Sequence, residues 1–145
     1  MARRPPEVGA ARRACLLACL GAGLSASAAG AGEADVVAAR VSCNADRVCA
    51  FSVSVRHADT GWSHYADRYE ILTPDGRLIA TRVLRHPHVH EQPFTRSLAG
   101  VEIPVGVESV HVRAHDSVDG YGGEVAALAL SFPVAGGEEA PESTE

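Results

Sequence analysis

The densest chemistry in this chain is the stretch His86-Pro87-His88-Val89-His90-Glu91-Gln92-Pro93-Phe94, which holds three of the seven histidines. Neutral imidazole is a borderline-soft ligand suited to zinc, copper or nickel, and three or four from separate segments can close a tetrahedral or tetragonal set. Proline biases the residue before it towards extended backbone. His86, His88 and His90 then alternate to one side, and two imidazoles spaced i and i+2 can grip one ion. The expected ligands are His86 and His88 together with His64 and His115. His57, His90, Asp59, Glu91, Asp67 and Asp116 are expected to add a ligand or to orient a ring through its second nitrogen. Copper or zinc is the expected ion, and a small ligand held by the same polar loops is the other occupant.

Other constellations are less specific. Ser63, His64 and Asp67 have the residue types of a hydrolase triad but lie in no nucleophile-elbow context. Asp116, Asp119 and Glu124 sit among glycines without the acid spacing of a calcium loop. Trp62, Tyr65 and Tyr121 could line a pocket at the same end, although aromatics beside strands more often belong to the core. No catalytic residue is assigned.

What must position the histidines is a set of short strands. Val37, Ala39, Val41 and Cys43 alternate with polar or small residues, and after Asn44-Ala45-Asp46-Arg47 a second run places Cys49, Phe51, Val53 and Val55 on one face. This predicts a hairpin in which Cys43 faces Cys49, Val41 faces Phe51, Ala39 faces Val53 and Val37 faces Val55. An isolated cysteine pair in an oxidising compartment reads as a disulfide. Strand patterns follow over 65–72, 77–84, 95–103, 109–115 and 125–132, with a bulge expected at Ala99-Gly100. Pro74-Asp75-Gly76 and Pro104-Val105-Gly106 supply turn chemistry. Seven strands at roughly ten-residue spacing with no helical period predict an all-β fold, an antiparallel β-sandwich of immunoglobulin or fibronectin type.

In such a sandwich alternate connections fall at opposite ends. The first, third and fifth connections are short turns; the second, fourth and sixth are long and carry every histidine except His111. Loops on a rigid scaffold are where binding residues concentrate, so one histidine-rich end is expected.

The chain has 145 residues, enough for one domain. Residues 1–28 read as an export signal: Arg3, Arg4, Arg12 and Arg13 precede a short apolar run and Ala26-Ser27-Ala28 is a cleavage site. Leu16-Leu17-Ala18-Cys19 gives a lesser alternative, a lipoprotein anchored at Cys19, and Arg12-Arg13 fits either the general secretory or the twin-arginine route. A domain over 35–133 and an acidic, disordered tail over 134–145 complete the division. Removing the signal takes four of 13 basic and one of 18 acidic residues, so the remainder carries 9 against 17 and a formal charge of −8. An acidic domain without lysine is repelled by nucleic acid and by anionic membrane surfaces, and no stretch forms a stable membrane span. The expected location is the periplasm or the medium.

The blocks His57-Ala58-Asp59-Thr60-Gly61-Trp62, His64-Tyr65-Ala66-Asp67, His86-Pro87-His88 with Glu91 to Leu98, and Arg113 to Val118 with Gly120 to Gly123 resemble those of an uncharacterised family of small exported bacterial proteins. In that family another polar residue often stands at the position of His90 and a histidine at that of Asp119. The resemblance implies export and carries no activity. Together these features predict an exported, non-enzymatic binding domain for a metal or small ligand. The alternative is an interaction domain whose histidine loops recognise another envelope protein. A metal-dependent hydrolase, which needs three protein ligands and an open position, is the third reading.

Overall fold

The computed structural model describes residues 32–134. The expected signal segment, Cys19 with it, and all of the expected tail except Val134 lie outside the described residues.

Alternation of β-branched and aromatic residues with small or polar ones produces seven strands and, among the described residues, no helix. They are β1 Asp35–Cys43, β2 Val48–Arg56, β3 Ala66–Leu72, β4 Leu78–Val83, β5 Phe94–Glu102, β6 Ser109–Asp116 and β7 Ala126–Ala129. All pairings are antiparallel. Strands β1-β2-β5 form one sheet and β4-β3-β6-β7 the other, so the fourth strand joins the four-stranded sheet. The two inner faces enclose Phe51, Val53, Val55, Tyr69, Ile71, Phe94, Val110 and Val112, all essentially without solvent contact. Each such side chain contributes on the order of 1.5–3 kcal/mol by leaving water. Tyr69 can be buried because its hydroxyl donates to the Arg96 carbonyl at 3.0 Å, tying β3 of one sheet to β5 of the other. Burial pushes that phenol up to about 12, partly opposed by the nearby Arg82 charge.

The hairpin has the register its cystine and its apolar face both demand: Cys43 opposite Cys49, Val41 opposite Phe51, Ala39 opposite Val53. The Cys43–Cys49 disulfide is formed. The last expected pair differs, because a bulge at Val37 places Val36 opposite Val55. The extra residue turns Val36 into the core, where it is 5 % exposed, and its amide leaves the ladder to donate to the Glu124 carbonyl. Glycine makes that crossing feasible: a Cβ on Gly123 would collide with the Ala34 carbonyl. The bulge expected at Ala99-Gly100 is present in β5, with Gly100 at φ +71°.

The short turns meet at one end. Arg47 holds a left-handed backbone (φ 64°), costly for a side-chain-bearing residue. Its guanidinium offsets that cost by donating to the carbonyls of Ile103, Pro104 and Val107 while stacking on Phe132. Closing so small a loop, the disulfide is expected to contribute about 2 kcal/mol. Denaturant unfolding of the reduced and oxidised chain measures this directly, and two titratable thiols in native, unreduced protein would show that the bridge does not form in solution.

Candidate metal centre

The three long connections meet at the opposite end, and hydrogen bonds knit them together. The His57 amide donates to Gln92 Oε1 at 3.0 Å, and Gln92 Nε2 donates to the His88 carbonyl at 3.0 Å. Tyr65 and Ser117 exchange bonds between the second and sixth connections.

The inward faces of two strands run on into this end. In β2 the series Cys49, Phe51, Val53, Val55 continues to His57, and in β6 Val110, Val112, Ala114 continues to Asp116. A polar side chain is thereby carried to the rim of the core from each sheet. The side chains of His57 and Asp116 have no solvent exposure. His64 reaches the same place from the turn Gly61–His64, where Gly61 takes φ +136°. Each of the three offers one donor atom, and these lie within 4.8 Å of one another. Tetrahedral ligands about 2.1 Å from a zinc ion stand about 3.4 Å apart, so a modest contraction would close the set. The group therefore has the composition and spacing to hold a metal ion.

Its unused valences support that fit. Buried polar atoms are almost always hydrogen-bonded, yet His57 Nε2 and Asp116 Oδ2 are buried without a partner. The other atoms of both groups are committed. His57 Nδ1 lies 2.5 Å from Asp59 Oδ1 and donates to it, which leaves the Nε2 lone pair free. A carboxylate behind an imidazole fixes its tautomer in just this way in metal sites. Asp59 Oδ1 also accepts from the Ala66 amide at 3.0 Å, and Oδ2 accepts from the His88 amide at 2.6 Å. Asp116 Oδ1 accepts from the amides of Val118 (2.9 Å) and Asp119 (2.7 Å) and faces His64 Nε2 at 3.1 Å. Burial alone would raise the Asp116 carboxyl. The Asp119 and Val118 amides, with His57 and His64 beside it, outweigh that and hold it below the ordinary carboxylate range. It is an anion ready to bind a cation. Asp119 Oδ2 lies 3.3 Å from His64 Nε2, within reach as a further oxygen.

The other expected ligands are placed apart from this group. His86 is exposed, its Nδ1 against the Pro87 carbonyl, and His90 is exposed beside Glu91 on an open groove. Glu91 grips the Arg96 guanidinium with both oxygens, at 3.1 and 2.9 Å. His88 is buried and stacked on Phe94 at 3.8 Å; neither ring nitrogen has a partner. Burial, then Arg96 and His86, hold its ring below the usual imidazole range. His115 is bound by Asp67, Nδ1 to Oδ1 at 2.7 Å, because an extra residue in β3 opposite His115–Asp116 turns Asp67 towards it. Ser63 is exposed and, among the described residues, makes no side-chain hydrogen bond to His64 or Asp67. Residue density alone gives His57 and Asp116 only supporting roles. The signal that picks them out is the period of two: each is the next inward position after a run of core residues.

A protein from Halomicrobium mukohataei named "Putative lipoprotein" is 40% identical over 92 residues, covering 63% of this chain and 45% of that protein. The chain thus spans less than half of that relative's length. No family model matches the sequence, and no solved structure matches it. Among the described residues no helix is long and apolar enough to cross a membrane.

Proposed function

We propose that this protein is an exported, non-enzymatic binding domain that holds a copper or zinc ion through His57, His64 and Asp116. The observation that carries the reading is the pair of buried, partnerless atoms, His57 Nε2 and Asp116 Oδ2, on a group of three donors within 4.8 Å. Two imidazoles and a carboxylate suit zinc or Cu(II) better than Ca²⁺ or Mg²⁺, which take oxygen sets. Export is supported by the basic and apolar leader, by the disulfide and by the name of the Halomicrobium relative, which is consistent with the lipoprotein alternative as well as with free release. Three protein ligands leave a position open, as catalytic zinc sites do. Hydrolysis that follows metal occupancy would move the reading to a metal-dependent hydrolase.

The test is elemental analysis of tag-free protein purified from its export compartment, then titration of the stripped chain with copper and zinc. About one ion per chain and a saturable titration are expected. Weak, unselective titration without bound metal would defeat the metal reading. Trp62, 69 % exposed and edge-on to Tyr65 at 5.6 Å, would then favour the second reading, a recognition surface for an envelope protein.

A further inference from the structure

A second cluster lies on the open side of the sandwich, where the edge strands β4 and β5 face each other. A cleft of about 170 Å³ there is lined by Arg82, Arg85, Arg96, His86 and His88, among others. Arg82 pairs in register with Tyr69, whose side chain fills the core. Arg82 therefore starts from the inner face of the edge strand, and its Nε is buried with no partner. Among the described residues no carboxylate lies within 4.0 Å of Arg82 or Arg85. Arg96 alone is neutralised, by Glu91. The second partnerless group is His88, 4 % exposed, with both ring nitrogens unsatisfied on the wall of the same cleft. In a chain whose formal charge is −5, two uncompensated guanidiniums beside a buried imidazole are a local reversal of sign.

We infer that this cleft binds a small dianionic oxyanion of the phosphate type. Planar guanidinium groups match the geometry of phosphate oxygens and bond them in pairs. Two uncompensated positive charges are balanced by one dianion. His88 lines the same cleft and has a ring N–H without an acceptor. The cleft's volume is below the roughly 300–1,000 Å³ that accommodates drug-sized ligands, so the bound group is the ion itself or the terminal phosphate of a larger molecule left outside. The cleft is joined to the metal group by the His88 N–H bond to Asp59 and by Gln92, which bridges the His57 amide and the His88 carbonyl, but its own donors are separate residues.

Calorimetric titration of the metal-stripped full chain with inorganic phosphate at low ionic strength tests this, since added salt screens such contacts. Saturable one-to-one binding is expected, with Kd below about 1 mM. Arg85→Ala, which alters an exposed side chain and leaves the core intact, should weaken it at least fivefold, as should Arg82→Gln. Acetate, a monoanion, should bind at least tenfold more weakly. Co-sedimentation with phosphatidylcholine vesicles doped with phosphatidic acid, competed by inorganic phosphate, would identify a lipid headgroup as the source of the oxyanion; absence of co-sedimentation alongside phosphate binding identifies a free one. No saturation by about 10 mM phosphate, equal binding of acetate, or unchanged affinity in both arginine variants would overturn the assignment and leave Arg82 as a charge that blunts an edge strand against aggregation.

Discussion

His64→Ala is expected to remove stoichiometric metal binding, with affinity for zinc and Cu(II) falling at least ~100-fold, and His57→Ala to do the same. Changing a group that only orients a ligand costs about 10–100-fold, so loss of a ligand itself should exceed that. The two variants carry different structural risks. His64 is 19 % exposed on a turn and its removal leaves Asp116 Oδ1 with two amide donors, whereas His57 is fully buried and its loss strips Asp59 of a partner. The His64 variant is therefore the cleaner test, and its unfolding free energy without metal should lie within about 0.5–1 kcal/mol of the parent. With metal at a hundredfold excess over Kd the parent should gain about 2.7 kcal/mol, and this gain should vanish in either variant. Cu(II) spectra of the parent should report two nitrogen ligands, and that bound signal should be lost at equimolar copper in either variant. His86→Ala supplies the contrast, because that ring is exposed and lies outside the group of three; its affinity should stay within about twofold. If His86→Ala weakened binding as much as His64→Ala, coordination would belong to the histidine-rich loop and not to the rim of the core.

Much of this arrangement is legible in the chain because a strand's side chains alternate between its two faces wherever no bulge intervenes. The period fixed which face of each strand is apolar, the cysteine pair pinned the hairpin register, and the difference in length between odd and even connections pointed to a single loop-rich end. Residue density is a poorer guide to which side chains the fold brings together. Three histidines in five residues draw attention to His86, His88 and His90, but a proline-rich loop has no period, and its side chains go where turn geometry sends them: one inward onto Phe94, two to solvent. The bulges were legible only where glycine marked them. Gly100 in β5 did so, whereas nothing in Asp35-Val36-Val37-Ala38 tells which valine will be extruded, since either can fill the core. The bulge at Asp67 was hidden in the same way, and with it the pairing of Asp67 to His115.

The carboxylate of Asp59 is the point on which the whole end depends, and Asp59→Asn isolates its role with almost no change in volume. All three of its neighbours are donors: His57 Nδ1 and the Ala66 amide on Oδ1, the His88 amide on Oδ2. A carboxylate satisfies them all, but an asparagine must turn its NH2 towards one side or the other. Placed against the His88 amide, it sets donor against donor and pries the fourth connection from the second. Placed towards His57, it clashes with the Ala66 amide and makes Nδ1 an acceptor, which moves the ring proton to Nε2, the nitrogen we propose as the ligand atom. Leaving a buried group unsatisfied costs about 1–3 kcal/mol, and each lost hydrogen bond to a charged group about 1.5–3 kcal/mol. The expected loss of stability is therefore about 2–4 kcal/mol by denaturant unfolding. Metal affinity should fall by about 10–100-fold, although no ligand atom has been removed. The two readouts separate structural from chemical roles: a variant that unfolds more easily yet binds metal as the parent does would mean that His57 does not coordinate through Nε2, and the orphaned nitrogen would need another partner.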